Sequence, residues 1–90
     1  MNTQESDTRI EVSIAICNVV TAARACDDSP EIKAHHLTIL DCVRRLFERS
    51  QYDAAYGLVR DLVAFADDDD ADGYKARLIS LQDHLDLLRK

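Results

Sequence analysis

Three features of the sequence predict an all-α fold, a small antiparallel bundle of four helices at about 8–26, 30–49, 53–66 and 73–89. Helix breakers are scarce: two glycines and one proline in ninety residues leave little material for turns and much for long helices. Apolar residues recur at helical spacing between the breakers. The one stretch that alternates like a strand has no second strand to pair with, and a lone strand leaves its backbone groups unsatisfied. At this length one domain is expected, residues 8–90, behind a polar tail over 1–7 that reads as disordered.

The first helix, from Thr8 to Cys26, contains that alternating stretch: Ile10, Val12, Ile14 and Ile16 step by two, whereas the following TAARAC favours helix. Read as helix throughout, it has a main apolar face of Val12, Ala15, Ile16, Val19, Ala22, Ala23 and Cys26. It also carries a second stripe of Ile10, Ile14 and Cys17. That is more apolar surface than a lone surface helix needs, and it predicts burial between helices or an oligomer interface.

The second helix opens on Ser29 as N-cap, Pro30 at the first helical position and Glu31 near the positive end of the helix dipole. Ile32, Ile39, Leu40, Val43, Leu46 and Phe47 fall on its apolar side, with Arg44, Arg45 and Arg49 near its negative end. A tight turn over Ser50 to Asp53 leads into the third helix. There the Ser50 and Asp53 spacing suggests a capping box, and Ala55, Leu58, Val59, Leu62, Phe65 and Ala66 line the inner face. In the last helix Tyr74, Leu78, Leu81, Leu85 and Leu88 step by four and three. This two-heptad seam must dock on the other helices or on a partner.

The charge of −6 opposes binding to nucleic acid, and no apolar run is long enough to span a membrane. The opening MNTQESD lacks the basic and apolar regions of a signal peptide, so a cytoplasmic location is expected. Cys17, Cys26 and Cys42 are odd in number and lie among apolar neighbours, which predicts buried, inert thiols rather than disulfides. His35 and His36 project about 100° apart on a helix, and His35 and Cys42 stand two turns apart, roughly 10 Å along the axis, so no metal site is expected from them. His36 falls in the middle of the apolar face and reads as a core or interface histidine.

The run Asp68, Asp70, Asp72 and Gly73, with the carbonyl of Tyr74, resembles the first half of an EF-hand calcium loop. The resemblance implies a calcium-responsive module. The position of its closing bidentate glutamate is Ile79, however, and that of its loop-pairing hydrophobe is Lys75. The bare reading is a solvated turn whose carboxylates favour the start of the last helix.

At SQYDAAYGLVRDLVAF the chain resembles the middle of a tetratricopeptide repeat. Tyr52, Asp53 and Ala55 stand where that family has its tyrosine, acid and alanine, and Asp67 where it has its helix-ending proline. The match covers about Glu31 to Asp70, with Val43 and Leu62 at positions where the family has small residues. The resemblance implies a helical scaffold that holds a peptide or helix of another protein.

No phosphate-binding glycine loop, nucleophile elbow or metallohydrolase spacing is present, and no cofactor is implied, so an enzyme is not expected. The expected function is a non-enzymatic interaction module: a small acidic adaptor, chaperone or regulator that binds another protein's helix or peptide. The candidate partner-binding residues are Ile10, Ile14, Cys17, Ile79 and Leu87. An inhibitor of anti-sigma or immunity type, acting through acidic residues 67–72, is an alternative, and a homodimer through the surplus apolar stripe is another.

Overall fold

Helix-favouring sequence between the breakers becomes four helices in the computed structural model, which describes residues 3–25, 29–66 and 73–89. They are α1 (Thr3–Ala25), α2 (Pro30–Glu48), α3 (Tyr52–Phe65) and α4 (Tyr74–Arg89). Helix α1 lies against α2 and α4, and α3 lies against the same two, so the four form a closed square in chain order. The diagonals meet through long side chains: Arg9 of α1 reaches the Tyr52 hydroxyl at the start of α3, and the His36 Nδ1 of α2 stands 2.8 Å from the Tyr74 hydroxyl of α4.

Neighbouring helices are antiparallel. As α1 descends from Asn18 to Glu11, α4 ascends from Arg77, which donates to the Asn18 carbonyl at 3.1 Å, to His84, whose Nε2 is 3.4 Å from the Glu11 carboxylate. The α3 and α4 pair is tied likewise by Gln82 donating to the Tyr56 hydroxyl at 3.2 Å and by the Arg89 guanidinium lying 4.0 Å over the Tyr56 ring. The hydrogen bond to Asp86 leads in raising the Arg89 pKa above its ordinary value.

The core is the sum of one stripe from each helix. Val12, Ala15, Ile16, Val19, Ala22 and Ala23 of α1 meet Leu40, Val43 and Phe47 of α2, Ala55, Val59 and Leu62 of α3, and Tyr74, Leu78, Leu81 and Leu85 of α4. Each fully buried leucine or valine contributes on the order of 1.5–3 kcal/mol relative to exposure, and this burial, more than intrinsic propensity, makes helices of this length stable. The stretch 8–17 is helix, as its lack of a strand partner predicts.

Several expectations need correction. Helix α1 begins at Thr3, not Thr8, so it takes in most of the stretch read as a disordered tail; Glu5 in its first turn favours the positive end of the dipole. Ser50 does not cap α3. It takes the left-handed backbone region at φ 61°, the N-cap is Gln51 without a side-chain bond, and the Ser50 Oγ accepts from Arg9 at 3.2 Å instead. Ser29 does cap α2, its Oγ accepting from the Ile32 N–H at 3.3 Å. Ile32 and Phe65, both assigned to apolar inner faces, are 48% and 84% exposed. Each sits in a terminal turn, where helical spacing gives a direction but the facing helix does not cover it. Cys17 and Cys42 are exposed rather than buried, because each lies beside the core stripe of its helix and not within it. Cys26 lies outside the described residues.

At the end of the bundle where α2 turns into α3, Arg9 fastens α1 to the turn. Its guanidinium lies 5.1 Å over the Phe47 ring and 5.9 Å from the Tyr52 ring while bonding the Ser50 and Tyr52 hydroxyls. At the opposite end Gly73 takes φ 71°, a left-handed conformation that glycine adopts without strain, immediately before α4.

Candidate partner-binding surface

Helix α1 is apolar on two opposite sides, and the bundle uses one of them. Val12 and Val19 are fully buried, whereas Ile10 and Ile14, turned to the other side, are each 57% exposed and Cys17 is exposed beside them. Ile10, Ile14, Cys17 and Thr21 fall within an arc of about 60° on an α-helical wheel, so the structure brings the first three predicted partner-binding residues together as one outward ridge. Thr21 turns its hydroxyl back to the Cys17 carbonyl at 2.9 Å, which leaves its methyl group as its outward apolar part.

Along one flank of this ridge runs a groove of about 360 Å³ between α1 and α2. Ile16, Val20, Leu37 and Leu40 supply its apolar lining, and Cys17, Thr21, Arg24, Asp41 and Arg44 its polar lining. Asp41 holds Arg44 at 2.9 Å and Arg45 at 3.1 Å. These pairs are solvent-exposed and add little stability, but the first holds the Arg44 guanidinium beside Asp41 in the groove lining. The charged lining of the groove is thus the Arg44–Asp41 pair together with Arg24.

Ile79 and Leu87, the other two predicted contacts, are 41% and 59% exposed on α4. They do not form a second ridge: eight positions apart, they project about 80° from each other, and neither lines the α1–α2 groove. The sequence reading missed Leu37, Arg24 and Arg44 as groove residues. Their positions on single helices carried the signal, but only the pairing of α1 with α2 puts them on one surface.

His36 is half-buried against Tyr74, and the two rings lie 5.5 Å apart, an aromatic contact that joins α2 to α4. Among the described residues no three His, Cys, Asp or Glu side chains come together as a metal-binding group. Asp68, Asp70 and Asp72, the calcium-loop-like residues, and the acidic segment 67–72 as a whole lie outside the described residues. No helix among the described residues is long and apolar enough to cross a membrane. No protein-family model, curated protein or solved structure matches the chain.

Proposed function

We propose that this protein is a non-enzymatic protein–protein interaction module, a small acidic adaptor, chaperone or regulator, that receives an amphipathic helix on the outer face of α1. The observation that carries this reading is the exposed ridge of Ile10, Ile14 and Cys17 on a helix whose other side already fills the core. Water-exposed isoleucines in one row are a standing free-energy cost that a complementary apolar row removes. Helix-in-groove recognition uses such a row, with anchors spaced by three and four residues, and Arg24 at the groove edge favours an acidic flank on the occupant. The sequence resemblance to a tetratricopeptide repeat over about 31–70 is in keeping with the same class of work.

The test is capture from native cell lysate with wild-type and Ile14→Glu baits, followed by mass determination of each complex. A stoichiometric protein retained by the wild type and lost by the variant, with helical circular dichroism unchanged, supports the reading. Equal retention by both baits refutes the ridge as the binding surface.

A further inference from the structure

The ridge on α1 extends beyond its apolar centre, and its ends carry opposite charges. Asp7, Ile10, Ile14, Cys17, Thr21 and Arg24 step by three, four, three, four and three, a heptad seam, and all six are exposed. The order of chemistry along it is acid, aliphatic, aliphatic, thiol, threonine, base. This order is complementary to its own reversal. When a second identical helix is laid antiparallel along the seam, Ile14 shares a layer with Cys17 of the other copy, Ile10 with Thr21, and Asp7 with Arg24. A parallel arrangement instead sets Asp7 against Asp7 and Arg24 against Arg24, which like-charge repulsion disfavours.

We infer that the outer ridge of α1 binds the same ridge of a second copy of this chain, antiparallel, about a two-fold axis between Ile14 and Cys17. The inference rests on the reading of this face as an interaction surface and names its occupant. Two-fold pairing uses each layer twice, so two Asp7–Arg24 ion pairs close the ends of one apolar centre. The flanking positions raise no conflict, since Glu11 comes level with Val20 and Ser13 with Asn18, so no like charges meet. The seam spans about 26 Å of helix, a small interface, so the dimer is expected to dissociate in the micromolar range rather than be obligate.

The test is sedimentation of the wild type and three variants over a concentration series. The wild type is expected to pass from monomer to dimer. Asp7→Arg and Ile14→Glu should each weaken dimerisation at least tenfold, and the double reversal Asp7→Arg with Arg24→Asp should restore it. A second measurement uses Ile14→Cys, which places a thiol in the same layer as Cys17 of the other copy. Mild oxidation is expected to give a covalent dimer that Cys17→Ser in the same variant abolishes. A wild type that stays monomeric at millimolar concentration overturns the inference, as does a dimer indifferent to Ile14→Glu. If the wild type is monomeric yet its Ile14→Glu form loses a captured protein, the interaction surface stands and the second copy as its occupant falls.

Discussion

Helices α1 and α4 form the most extensive contact in the bundle, yet they use their apolar residues in opposite ways. In α4 the five residues of the heptad seam point inward, with Tyr74, Leu78, Leu81 and Leu85 buried and Leu88 partly so, and the two outlying residues Ile79 and Leu87 are scattered. In α1 the buried stripe is of similar extent, but an equally regular second stripe remains on the solvent side. The lesson is that scattered exposed apolar residues need no explanation, whereas a second row at helical spacing does.

Truncation of the α4 seam should be the most damaging change to the α1–α4 contact. Leu81→Ala removes a fully buried side chain at the centre of the seam and is expected to cost about 2–5 kcal/mol in denaturant unfolding. A loss below about 1 kcal/mol would mean that α4 is not anchored as described. Next comes Arg9→Ala, which removes the aromatic contacts and hydroxyl bonds that fasten α1 to the α2–α3 turn. It should cost about 1–2 kcal/mol and increase amide exchange in the first turns of α1, which hydrogen-exchange spectrometry would detect.

Smaller effects sharpen the contrast. Arg77→Ala loses the bond to the Asn18 carbonyl across the α1–α4 face and should cost about 0.5–1 kcal/mol. Ile14→Ala and Leu87→Ala, both on exposed positions, should each change monomer stability by less than about 0.5 kcal/mol at nanomolar concentration. They should part company at high concentration: Ile14→Ala shifts the sedimentation profile and Leu87→Ala does not. Identical behaviour would erase the distinction between the two outer faces.

Much of this is legible in the amino-acid sequence. The period of 3.6 separates the two faces of α1 and assigns Val12, Ile16 and Val19 to the core, because burial follows helical phase wherever a neighbouring helix lies alongside. Phase says nothing about level. Ile32 and Phe65 have inward phase but occupy terminal turns, so they remain exposed. The turn at Ser50 also escaped the sequence reading: an S-x-x-D spacing is compatible with a capping box, and only the left-handed backbone at Ser50 and the start of α3 at Tyr52 reassign its hydroxyl to Arg9. The ridge of Ile10, Ile14 and Cys17 could be read from periodicity. The adjoining groove could not, since Arg24 and Leu37 belong to different helices and share a surface only after α1 and α2 are paired.

The square of helices places its most extensive contact between the elements furthest apart along the chain, whereas the sequence-adjacent pair α1 and α2 shares the least. Closing such a ring loses chain entropy before the largest contact repays it. Partly folded forms lacking that closure therefore gain little, and unfolding should be all-or-none rather than stepwise. Helices α1 and α4, despite their separation in sequence, should then open together as one cooperative unit, with matching amide protection in their central turns.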